Sequence, residues 1–79
     1  MADESAMQAL IKKLEAELTR KYPRGVEVTS LARQCDTKSM KLHVVASGLG
    51  IKSEGRISPR NAARIVAQYA VEAQASANK

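Results

Sequence analysis

Apolar residues recur at helical spacing along the first quarter of the chain. Met7, Leu10, Ile11, Leu14 and Leu18 follow the i, i+3, i+4, i+7 pattern, with Tyr22 beside the stripe. The spacing predicts an amphipathic helix over 4–22, capped by Asp3 or Ser5 and stopped by Pro23 and Gly25. The stripe has two uses: packing on the chain's own core, or pairing with a second copy.

The pattern then changes period. Val26-Glu27-Val28 reads as a short extended piece. Thr29 opens a short helix reaching Gln34 or Cys35, with Leu31 and Ala32 inward. Asp36 and Thr37 mark a turn, and either is a cap for the next helix. That helix is expected over 38–49. Leu42, Val45, Ala46 and Leu49 form its inner face, Ser39, His43 and Ser47 lie opposite, and Lys38 and Lys41 flank the apolar stripe. Gly50 is the expected left-handed residue after its end. Two short helices around a tight turn have helix-turn-helix spacing, although the turn lacks a central glycine.

Ile51-Lys52-Ser53 and Arg56-Ile57 flank Glu54-Gly55, a hairpin signal. Ser58 then caps and Pro59 opens a last helix, expected over 59–73. Ala62, Ile65, Val66, Tyr69, Ala70 and Ala73 make its apolar face, and Arg60, Arg64 and Gln68 point outward. The order predicts a mostly α fold, a small winged helix-turn-helix-like or tri-helical domain with a short β-hairpin and an N-terminal amphipathic helix. Residues 1–79 read as a single domain, comprising the helix 4–22, a helix-turn-helix-like core with hairpin wing over 26–75, and a frayed tail at 76–79.

Composition narrows this further. There is no Trp or Phe, so the core is aliphatic, which suits helices. Tyr22 and Tyr69 fall near apolar stripes and read as half-buried, which disfavours a sheet that stacks RNA bases on exposed rings. Cys35 is alone, which favours a reducing, cytoplasmic home. MADESAMQALIKK has no basic start followed by an apolar run, so no secretion signal is expected, and no apolar run is long enough to span a bilayer.

Charge changes the picture most. The net charge is +5, and ten of the 13 Lys and Arg lie between Arg20 and Arg64, against three acids there. Such concentration favours a polyanionic partner. Catalysis is not expected, because His43 and Cys35 form no recognisable pair and the acids are scattered. Neither a cofactor nor a metal site is expected, two potential ligands being too few for structural zinc. The candidate nucleic-acid-binding residues are Lys38, Ser39, Lys41 and His43 on the helix after the turn. Lys52, Gly55 and Arg56 on the hairpin, and Arg60 and Arg64 on the last helix, complete the set. Lys and Arg supply phosphate contacts, and polar side chains on a helix can reach base edges in a major groove. A slim Gly55-Arg56 tip suits a narrow A·T-rich minor groove.

The stretch VEVTSLARQCDTKSMKLHVVASGLGIKS resembles the small N-terminal domain of bacterial translation initiation factor 2 over 26–70, through Val28, Leu31, Ala32, Leu42, Gly50, Ile51 and Lys52. That resemblance implies a fold and, as an alternative function, an RNA- or ribosome-binding module. GIKSEGRISPRNAARIVAQYA is similar to the C-terminal DNA-binding domain of actinobacterial nucleoid-associated silencers over 50–70. It implies Gly55 and Arg56 as a minor-groove pair, with the Met7–Leu18 helix standing in for an oligomerisation region. The expectation is a non-enzymatic, nucleoid-localised protein that grips double-stranded DNA as a transcriptional regulator or architectural factor. A homodimer or an adaptor built on the N-terminal helix is the remaining alternative.

Overall fold

A computed structural model describes residues 4–77 of the chain. The elements are α1 (Glu4–Lys21), β1 (Val26–Glu27), α2 (Val28–Gln34), α3 (Ser39–Gly48), β2 (Arg56–Ile57) and α4 (Pro59–Ala77). The fold is mostly helical, as the periodicities require.

Helix α1 forms where its stripe predicts, and the stripe from Ile11 onward packs within the chain, with Met7 and Leu10 half-buried. Leu18 is buried, and Ile11, Leu14 and Tyr22 pack against the core as α1 lies along α4. Ser5 falls inside the helix rather than at its cap, and Asp3 lies outside the described residues. Burying this face on α4 is what stabilises α1, since most helical stability in proteins comes from tertiary packing of an amphipathic face.

The expected hairpin over 51–57 does not form. Instead β2 pairs antiparallel with β1, Val26 opposite Ile57 and Glu27 opposite Arg56. This register buries Val26 and Ile57 on one face and leaves Glu27 and Arg56 exposed as an opposite-charge cross-strand pair. Folding 51–57 on itself would pair Ile57 with polar residues and free Ile51, which the core holds buried. The Glu54-Gly55 bend, with Gly55 at φ +66°, only redirects the chain toward β1.

Val28, expected to be extended, is the first residue of α2. Its side chain joins Leu31 and Ala32 in the core. Helix α3 is flanked by Lys38 and Leu49 at its two cap positions. Its inner residues Leu42, Val45 and Ala46 are buried as expected. The largest fully buried side chains are Leu31, Leu42 and Ile65, one from each of α2, α3 and α4.

Helix α4 begins as predicted. The Ser58 hydroxyl accepts the Asn61 N–H at 3.3 Å, and Pro59 takes the first turn, where no N–H is needed. It runs to Ala77, past the expected end at 73 and into the tail expected to fray; residues 78–79 lie outside the described residues. Its buried face also differs. Ala63 and Ala67 are buried with Ala62 and Ile65, whereas Ala70 and Ala73 are exposed. The helix is packed by both α1 and α3. Alanines on more than one face let two neighbours approach closely.

Candidate nucleic-acid interface

The α2–α3 connection is a tight turn between two short helices, and Asp36 makes it. The Thr37 N–H donates to the Ala32 carbonyl at 2.9 Å and the Asp36 N–H to the Arg33 carbonyl at 3.2 Å. That is the double closure of a helix ending on a left-handed residue, and Asp36 supplies it at φ +55°. Aspartate is among the few residues that tolerate this conformation, which is why the turn works without glycine. Asp36 and Thr37 therefore end α2 rather than cap α3. Lys38 occupies the α3 cap position with no side-chain cap bond; the Lys41 N–H donates back to the Lys38 carbonyl at 3.0 Å, which leaves the Ser39 and Met40 N–H groups for an outside acceptor. The same closure recurs at the far end. Gly50 is left-handed at φ +72°, its N–H donates to the Ser47 carbonyl at 3.1 Å, and the Ile51 N–H donates to the Ala46 carbonyl at 2.9 Å.

Helix α3 is thus fixed at both ends with one side in the core and the other in solvent. Lys41, His43, Val44 and Ser47 are exposed, as is Met40. Ser39, expected opposite the core, is half-buried at its margin, because three residues ahead of Leu42 is nearly one turn. The centre of the outer face is apolar: Met40 is 74% exposed and Val44 67%. On one flank the His43 Nδ1 is hydrogen-bonded to the Ser53 hydroxyl, which ties α3 to the segment carrying Lys52 and Gly55. On the other side Met40 and Val44, with Lys38, Lys41 and the buried Val45, line an open hollow between α3 and α4, whose far wall is Tyr69, Glu72 and Ala73.

The cations of the chain's middle form a band that sequence spacing did not reveal. Arg24 and Arg56 line a hollow with Tyr22, Glu27 and Ser30 beside the ribbon. Tyr22 and Ser30 are shared with a second hollow that adds Lys21 and Arg33. Arg33 is shared with a third, which reaches Asp36 and Lys38 at the turn. Lys38 leads into the α3–α4 hollow and to Lys41. Six cations (Lys21, Arg24, Arg33, Lys38, Lys41 and Arg56) therefore run from the ribbon to the start of α3 against three acids, Glu27, Asp36 and Glu72. Lys21, Arg24 and Arg33 were missing from the candidate set. The charge excess between Arg20 and Arg64 contained them, but only the fold shows that they join.

Two of the candidate residues lie apart from this band. Arg60 and Arg64 line a groove between α4 and α1, with Lys12, Glu15 and Ile11. At about 100° per residue they lie about 180° and 140° around α4 from Tyr69, which faces α3. Arg56 stays in the set but changes position: it sits on a paired strand, opposite Glu27, and not at a free hairpin tip.

Compared with family models, curated proteins and solved structures, the chain matches none. The site has to be read from its own chemistry.

Among the described residues, no group of three His, Cys, Asp or Glu side chains could hold a metal ion, and no helix is long and apolar enough to cross a membrane. Cys35, half-buried at the end of α2, has its thiol pKa pushed up by burial, the reverse of what an activated nucleophile requires. The surface offers cations, exposed amides and hydroxyls, and one apolar pair on a helix.

Proposed function

We propose that this chain is a non-enzymatic duplex DNA-binding protein of the helix-turn-helix kind. Helix α3 enters the major groove, and the ribbon-to-α3 band lies along the flanking phosphates. The observation that carries this reading is the band itself: six cations joined to the uncapped N-terminus of an outward-facing helix. An α-helix is the element that a major groove admits, and a helix-turn-helix corner presents one with its first turn toward the bases.

The roles divide by position. Lys38 and Lys41 contact phosphate beside the α3 N-terminus, with Lys21, Arg24, Arg33 and Arg56 continuing along the backbone. Ser39 and His43 reach toward base edges, His43 steadied by Ser53. Lys52 and Gly55 border the other flank. The 51–57 segment serves as a short wing without being a hairpin. With Arg56 beside Glu27 on the ribbon, a phosphate contact suits it better than deep minor-groove insertion. A place in the nucleoid, as the silencer resemblance implies, follows from this reading.

The test is fluorescence anisotropy with a mixed-sequence duplex, an A·T-rich duplex and an RNA hairpin at about 50 and about 200 mM salt. Four to six phosphate contacts imply a slope of log K against log salt of about −3.5 to −5.5, so duplex affinity should fall about 10²- to 10³-fold. Tighter binding to the RNA hairpin would move the reading to the RNA- or ribosome-binding alternative. Binding that is weak and insensitive to salt would remove nucleic acid altogether.

A further inference from the structure

We infer that Met40 and Val44 are a thymine-methyl reader at the centre of α3. The inference rests on the duplex-binding reading above and names what α3 recognises in the groove. These two side chains are the most exposed large hydrophobics among the described residues, at 74% and 67%. They stand i, i+4 on one helix and so lie side by side along the outer face. Every other large apolar residue of α3 is buried, and the pair opens to solvent at the rim of the hollow that Val45 and Tyr69 line.

The surroundings select the occupant. Met40 and Val44 share the α3–α4 hollow with Lys38 and Lys41, and His43, held by Ser53, follows on the far side of α3. Glu72 is the one acid lining the hollow, and its carboxylate accepts a hydrogen bond from the Gln68 amide at 2.9 Å. A cation-rimmed apolar pair matches a surface whose edges are phosphate and whose floor carries methyl groups. The major groove has that character wherever thymine presents its C5 methyl, the one apolar group on its floor. A second copy of the chain fits less well. Its rim would bring lysines toward lysines, and two side chains fall far short of the roughly 800 Å² per partner of a stable interface.

The geometry sets a spacing. Residues four apart on a helix are separated by about 6 Å along its axis. Base steps are about 3.4 Å apart, so the pair spans thymines about two steps apart.

The experiment uses the full chain with an alternating A·T duplex of 24 base pairs and the same duplex with every thymine replaced by uracil. The replacement removes the major-groove methyl and keeps every hydrogen-bonding group in both grooves. Wild type should bind the thymine duplex about fourfold more tightly per methyl contacted, or about tenfold or more for two. The double variant Met40→Ala, Val44→Ala should bind both duplexes equally, at the uracil level. Alanine at two exposed helical positions keeps the fold, which circular dichroism checks. Salt-dependent binding with no thymine preference, or a preference that survives in the double variant, overturns this inference alone. Binding to neither duplex removes the duplex reading and this inference together. A dimer in sedimentation that the double variant loses assigns the pair to a second copy and overturns it as well.

Discussion

Alanine at three glycines separates three physical situations in this fold. Gly48 is the last residue of α3, exposed, with nothing within 4 Å of an added Cβ. Gly50 also has open space, but its φ is +72°. Gly25 has a φ of +100°, and a Cβ there would meet the Arg56 Cβ and the Ile57 carbonyl oxygen, both at 3.1 Å. Gly48→Ala should therefore stabilise by up to about 0.5–1 kcal/mol through helix propensity. Gly50→Ala should cost about 1–2 kcal/mol, the penalty of a left-handed L-residue. Gly25→Ala carries a comparable strain and also pushes on the ribbon, whose carbonyl cannot swing away without breaking the pairing with β1. It should cost about 2–4 kcal/mol. A domain of this size has a total stability of about 4–12 kcal/mol, so the last variant loses a large fraction of it. Urea titrations followed by circular dichroism give the differences, and melting should drop by about 4–8 °C per kcal/mol. The required order is Gly48→Ala above wild type, then Gly50→Ala, then Gly25→Ala. If Gly25→Ala costs no more than Gly50→Ala, the approach of Gly25 to β2 is wrong, and with it the ribbon that starts the cationic band.

Other perturbations test other links. Deleting residues 1–22 should unfold the chain, because it strips Leu18, Ile11, Leu14 and Tyr22 from the core, a loss on the order of 5 kcal/mol; a folded remainder by circular dichroism would return α1 to the role of a free interface. Arg33→Ala and Lys38→Ala should each weaken binding to all duplexes alike and flatten the salt slope by about one unit, whereas Arg60→Ala should leave both unchanged; anisotropy showing the reverse would turn the binding face around to the α1–α4 groove. Cys35 should alkylate more slowly than a free thiol at mildly alkaline pH and recover the free rate in urea. Because its folded pKa is raised, its contribution to stability is complete below the unfolded thiol's pKa and is lost as pH rises through the folded one, so a urea midpoint that climbs across that range in wild type but not in Cys35→Ala contradicts the burial.

The helices were legible because each carries a local signal. The Met7–Leu18 stripe, the Ser58-Pro59 start and Gly50 all act within one or two turns of where they sit. The ribbon was not legible, since Val26 and Ile57 meet across 31 residues and no local pattern links them. Glu54-Gly55 carries a hairpin signal that the core overrides by keeping Ile51 and drawing Ile57 to Val26. Asp36 hid the left-handed turn because aspartate is also a common helix cap, and the two uses look alike in one dimension. For the proposed binding face, Lys38, Lys41 and His43 could be placed from the α3 wheel. Arg60 and Arg64 could not, because which side of α4 meets α1 depends on packing. The same packing gathers Lys21, Arg24 and Arg33 from three separate segments into one band.

The most direct test of that band is an amide chemical-shift map of the chain titrated with a duplex. The account predicts the largest shifts at 38–48, at Lys52–Arg56 and at Lys21, Arg24 and Arg33, with residues 8–15, Arg60 and Arg64 nearly still. Shifts centred on the α1–α4 groove, with α3 unmoved, would contradict it.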